Sequence, residues 1–220
     1  MADRLPSPTL LAGTVRRWSN VGGFAERARR MAFSWEDRLF DWRNKVDTKG
    51  VIQPSELAAS GDVANVHATA YQAVWCRNLR VLLRQAGKVG IPPVFIDIGS
   101  GKGKACFYAA PRFRHVIGVE YSALLVDAAN ANLRRSGRTN IEFVQADATR
   151  YLLPAEPCLV FMFNPFDAEA VGKFLFLNAD RIKASHSLLA YANDLHIGVL
   201  ADAGFECLFR ESTRSISLWR

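Results

Sequence analysis

From Val94 onward, apolar and polar positions alternate in short blocks. Val94–Ile98 is an apolar run interrupted only by Asp97, and His115–Glu120, Ile141–Gln145, Leu159–Phe163, Leu188–Ala192, Phe205–Arg210 and Ile216–Trp219 are similar runs. Each is short, rich in β-branched, aromatic and leucine side chains, and bounded by breakers. That is the pattern of strands buried on both faces. Between them the apolar residues recur at three and four positions, which predicts helices. One runs from Ser122, a suitable N-cap, to Arg135, where Ser136-Gly137 stops it. Others are expected over about Ala168–Asn178 and Leu195–Ala203. Alternating strands and helices predict a parallel sheet covered on both sides. Only Glu211 to Ser215 separates the last two strands, so those two must form an antiparallel hairpin. The expected fold is α/β, a doubly wound, mostly parallel seven-strand sheet with an antiparallel last strand.

The pattern ahead of Val94 differs. Val21, Phe24, Ala28, Met31, Trp35, Leu39 and Trp42 recur at helical spacing, with Arg27, Arg30 and Arg38 on the polar side. This predicts an N-terminal helix whose apolar side packs on the core rather than lying on a membrane surface. Tyr71, Val74, Trp75, Leu79, Leu82 and Leu83 predict a second helix ending near Gly87, with His67 and Tyr71 sharing a face. Its other side carries Arg77, Arg80, Arg84 and Lys88, expected as a solvated basic stripe. Gly90-Ile91-Pro92-Pro93 then breaks the helix. Residues 1–90 therefore read as a helical extension that folds over the site as a lid. Residues 91–220 read as the core, expected to fold even without residues 1–60.

Composition narrows the classes. The chain has 220 residues, half of them apolar, enough for one domain with an appendage. Apolar runs such as CLVFMF are too short to span a bilayer. No stretch reads as a secretory leader, and a cytoplasmic, membrane-free protein is expected. Cys76, Cys106, Cys158 and Cys207 are scattered without a C-x-x-C pair, so neither a zinc site nor a disulfide framework is indicated. The net charge of +7 is mild for nucleic-acid binding, and residues 1–50 hold ten Lys and Arg against six Asp and Glu.

Candidate chemistry begins at the end of the first core strand, where Asp97 is followed by Gly99, Gly101 and Gly103. Glycines allow a sharp turn and a close backbone approach to a ligand, and the helix start behind them offers N–H groups. A dinucleotide fingerprint requires Gly or Ala at position 104, and Lys104 stands there. The spacing D-x-G-x-G-x-G resembles the first motif of class I S-adenosylmethionine-dependent methyltransferases. VDTKG, FIDIGSGKG, GVE and NPF together resemble a bacterial group within that class.

That resemblance implies a cofactor, S-adenosylmethionine, and a set of site residues at successive strand ends. Gly99, Ser100, Gly101 and Gly103 would wrap its methionine part, with Asp97 working around the amino group. Glu120, next to Tyr121, would accept the ribose hydroxyls. Asp147 and the N–H of Ala148 would meet the adenine, although Asp147 also suits a turn cap. Asn164, Pro165 and Phe166 would stand where the methyl and its acceptor meet, and Asn164 would touch both. Tyr71 would reach the cofactor or acceptor from the lid. The single proline of FNPF departs from the Asn/Asp-Pro-Pro-Tyr/Phe of enzymes that methylate adenine or glutamine amides. The acceptor implied is an amine of a small molecule or protein. An RNA methyltransferase using the basic N-terminal half and a non-catalytic scaffold are the alternatives.

Overall fold

The computed structural model describes residues 24–59, 69–163 and 165–220. Helix α1 (Phe24–Asn44) is followed by strand β1 (Val51–Ile52), helix α2 (Pro54–Ala59), strand β2 (Tyr71–Gln72) and helix α3 (Cys76–Val89). The core continues with β3 (Val94–Ile98), α4 (Lys104–Ala109), β4 (His115–Glu120), α5 (Ala123–Ser136) and β5 (Ile141–Gln145). Then come β6 (Cys158–Phe163), α6 (Ala168–Ala184), β7 (Leu188–Ala192), α7 (Ile197–Asp202), β8 (Cys207–Glu211) and β9 (Ile216–Trp219).

The seven long strands form one sheet in the order β5-β4-β3-β6-β7-β9-β8. Strands β5, β4, β3, β6 and β7 pair in parallel, and β9 runs antiparallel to both neighbours. Order reverses beside β3, so the C-terminal ends of β3 and β6 flank the switch point where such sheets take ligands. Alternation along β3 divides the core. Phe95 packs with Leu79, Leu82, Phe107 and Phe161 on the α3–α4 side. Ile96 and Ile98 pack with Phe174, Tyr191 and Trp219 on the α6–α7 side.

The N-terminal extension departs from expectation in two ways. The face of α1 chosen by spacing does not pack inward: Trp35, Leu39 and Trp42 are 66, 48 and 76% exposed. The opposite face docks, led by Asp37, Phe40 and Asp41. The reason is Lys104, only 4% exposed, whose ammonium lies 3.2 Å from Asp37 and 3.7 Å from Asp41. A buried cation must find acids, and α1 supplies them. Phe40 meets the ring of Tyr108 at 5.6 Å. Asp41 also accepts the backbone N–H and hydroxyl of Thr48 at 3.0 and 2.8 Å.

The second departure is Tyr71, which lies on strand β2 and not in a helix. Val51–Ile52 pairs with it antiparallel, and α3 begins only at Cys76, after Trp75 in extended conformation. The Cys76 N–H donates to Asp37, a third tie to α1. Of the basic stripe on α3, Arg80 pairs with Glu36 of α1. The predicted partner His67 lies outside the described residues.

Candidate active site

The loop after β3 is strapped to the end of β4. Gly99 and Ser100 donate their N–H groups to the Val119 carbonyl at 2.8 and 3.0 Å. The Gly101 N–H donates to Glu120 Oε2 at 2.8 Å, and the Ser122 N–H donates to Oε1 at 3.0 Å. Gly103 donates to the Ser100 carbonyl. These N–H groups are therefore engaged within the protein. They shape the turn ahead of α4.

Two glycines are required by close approach. A Cβ at Gly99, at φ +76°, would sit 2.3 Å from Pro165 Cβ. A Cβ at Gly101, at φ +54°, would sit 2.3 Å from Tyr71 Cε2. The Cδ2–Cε2 edge of the Tyr71 ring thus lies against Gly101 of the glycine loop. Its hydroxyl donates to the Thr48 carbonyl at 2.7 Å, and Lys102 Nζ donates to the Lys49 carbonyl. Asn132 of α5 completes the arrangement by accepting the Asp47 N–H and donating to the Asp47 and Lys102 carbonyls. The VDTKG segment is in this way a brace on the far side of the glycine loop.

A cleft of about 310 Å³ opens along the strand ends. Gly99, Glu120, Tyr121, Asp147, Ala148, Pro165, Phe166 and Tyr71 all line it, so one cavity collects eight of the residues singled out by sequence. Asp97, Ser100, Gly101 and Gly103 lie behind that wall. Asp97 is 3% exposed and accepts the Cys106 thiol at 3.6 Å; burial raises its pKa to about 7, against the lowering effect of that thiol. Ser100 Oγ is buried without a hydrogen-bond partner. Asp147 takes both Thr149 donors on Oδ1, at 2.9 and 2.8 Å, capping the turn Ala148–Arg150.

Phe166 is 8% exposed and belongs to the α6-side core while its ring floors the cleft. The Pro165 carbonyl accepts the Thr69 N–H at 3.2 Å, tying the extension to the site. Asn164 lies outside the described residues. Burial, and then the neighbouring Asp41, push the Tyr71 phenol far above its ordinary value, so it stays protonated and serves as wall and donor. Sequence reasoning missed Pro54, Leu57, Thr69 and Gln72 of the extension, and Arg150 and Lys173, among the lining residues. Two-residue strands carry no period to read, and only Pro54 marked a local boundary.

Residues 95–175 match a family model described as a methyltransferase domain. That stretch is a methyltransferase domain, and the sheet around it has the fold of S-adenosylmethionine-dependent methyltransferases. Solved structures share the fold. A SAM-dependent methyltransferase from Aquifex aeolicus aligns with a TM-score of 0.51 at 16% identity, over 76% of this chain and 97% of that one. Precorrin 8w decarboxylase from Methanobacterium thermoautotrophicum aligns at 0.52 and 18%, over 68% and 88%. Magnesium protoporphyrin IX methyltransferase from Synechocystis, solved with bound SAM, aligns at 0.50 and 14%, over 66% and 77%. The chain spans half the length of the YcgJ protein of Bacillus subtilis, another match. No curated protein matches the sequence.

The residues present fit the cofactor. Two half-buried carboxylates, Glu120 and Asp147, supply polar partners along the cleft beside apolar Leu125, Phe163 and Phe166. Its volume falls within the range of small-molecule sites.

Proposed function

We propose that the enzyme methylates an amine nitrogen of a small molecule or of a protein. One observation carries this reading. Thr69 of the extension donates to the Pro165 carbonyl, and Thr69, Ala70, Tyr71 and Gln72 line the same cleft as Pro165 and Phe166. A cleft bordered on this side by the extension suits a small group or a single side chain. None of Arg77, Arg80, Arg84 and Lys88 lines the cleft, which speaks against the RNA reading.

When bound, S-adenosylmethionine supplies a methyl group on a cationic sulfur. The chain's own residues do the positioning, which is the main work in a direct displacement. Glu120 accepts ribose hydroxyls while still holding Gly101 and Ser122. Asp147 accepts from the adenine amino group through Oδ2, and the Ala148 N–H meets the ring. Gly99 and Ser100 border the methionine part, with Asp97 behind them. Phe163 and Phe166 exclude water, and the Phe166 ring offers an aromatic face to a cationic methyl. Because the Pro165 carbonyl is occupied by Thr69, holding the acceptor nitrogen falls to Asn164, assigned by its place between Phe163 and Pro165. The extension acts as a lid, pinned by Thr69 on one side and Tyr71 on the other.

A tritiated-methyl transfer assay on fractionated lysate tests the reading. Label in metabolites or protein supports it. Label released by ribonuclease favours the RNA alternative. Failure to bind cofactor favours the scaffold.

A further inference from the structure

Helix α1 turns Trp35, Leu39 and Trp42 outward, and nothing in the described chain covers them. Between Ser34 and Asn44 the exposed residues are Trp35, Arg38, Leu39, Trp42 and Arg43. At about 100° per residue, Trp35, Leu39 and Trp42 fill a stripe about 60° wide, and Arg38 and Arg43 stand about 40° beyond its two edges. Among the described residues, the acid beside this stripe, Glu36, pairs with Arg80. The exposed side of α3 continues the positive charge in Arg84 and Lys88.

We propose that this face of α1 docks the enzyme on an anionic membrane surface. Two indoles and a leucine on a convex ridge would enter the headgroup boundary, where tryptophan is favoured. The flanking guanidinium groups would meet lipid phosphates while their stems follow the apolar stripe. Charge decides against the nearest competitor, a second copy of this chain. Across a two-fold axis the Arg38 and Arg43 rows would face like rows, with no exposed acid between Ser34 and Asn44 to receive them. The opposite face of the helix is fixed to the core by Asp37 and Asp41. The ridge is thus held rigidly outward at no cost to the fold, and docking would leave the cleft's own lining untouched, since none of these residues lines it.

Flotation of the full chain with vesicles tests this. One set is phosphatidylcholine alone, and the other is one part phosphatidylserine to two parts phosphatidylcholine. The chain should partition at least about tenfold more strongly onto the anionic set, with loss at high salt. Arg38→Gln with Arg43→Gln should weaken that partition about fivefold for each cation removed. Trp35→Ser with Trp42→Ser should weaken it at least about tenfold. Both double variants should keep the parent's melting temperature, because all four positions are exposed. No partition, equal partition onto both sets, or undiminished partition by the Trp35→Ser/Trp42→Ser variant would overturn the proposal. So would a concentration-dependent dimer, or binding to single-stranded RNA, that the same substitutions abolish while vesicle binding stays absent.

Discussion

Lys104 Nζ lies 3.2 Å from Asp37 Oδ1, joining the helix behind the glycine loop to the N-terminal helix. The lysine is buried, and Asp41, also buried, stands 3.7 Å away on the other side. The residue that separates this loop from a dinucleotide fingerprint is therefore a structural cation. It makes α1 part of the core.

Removing one member of such a cluster leaves uncompensated charge in the interior. Asp41→Ala should lower unfolding free energy by about 3–5 kcal/mol, because it also strands the Thr48 donors. Chemical denaturation measures this. Deleting residues 1–60 removes Asp37, Asp41 and the buried Val46 together. Contrary to the expectation of an autonomous core, that truncation should fail to give a cooperative transition.

Tyr71 and Gly101 offer a second test. Any side chain at Gly101 collides with the ring and strains a left-handed backbone. Gly101→Ala should displace β2 and weaken S-adenosylhomocysteine binding about tenfold or more. Tyr71→Phe keeps the ring contact and loses only the bond to the Thr48 carbonyl. It should cost about 0.5–1.5 kcal/mol of stability and leave binding nearly intact. Equal damage from the two substitutions would mean the ring contact is unimportant.

The core sheet was legible because each strand is buried on both faces and bracketed by breakers. Val94–Ile98, His115–Glu120, Ile141–Gln145, Leu188–Ala192 and Ile216–Trp219 match the observed bounds. Helix α6 runs past Asn178 to Ala184, since Ile182 continues its buried side. The extension was not legible in the same way. Periodicity identified α1 as a helix but assigned its faces by hydrophobicity, whereas one buried lysine on a distant element determined the docking. At Tyr71, β-pairing over two residues leaves no periodic trace, and the spacing to Val74 and Leu79 mimics a helix. The cleft residues were legible through strand ends, except where the N-terminal extension contributes.

Asp97 makes stability depend on pH. Its folded value is about 7 against an ordinary 3.8, so between those values the unfolded chain releases a proton that the folded chain keeps. The unfolded state then binds fewer protons, and stability falls as pH rises through this window, by up to about 1.4 kcal/mol per pH unit. The contribution is intact below about pH 3.8 and lost above about 7. Asp97→Asn should flatten this slope in denaturation curves taken from pH 4 to 8. An unchanged slope would place the titrating group elsewhere.

We propose that the cleft along the strand ends holds the cofactor through Glu120 and Asp147. Titration calorimetry of the full chain with S-adenosylhomocysteine tests it most directly, with Glu120→Gln and Asp147→Asn measured alongside. One site per chain is expected, with each variant folded and binding weaker by about 1–3 kcal/mol. A folded parent that takes up no S-adenosylhomocysteine, or two folded variants that bind it as tightly as the parent, would contradict it.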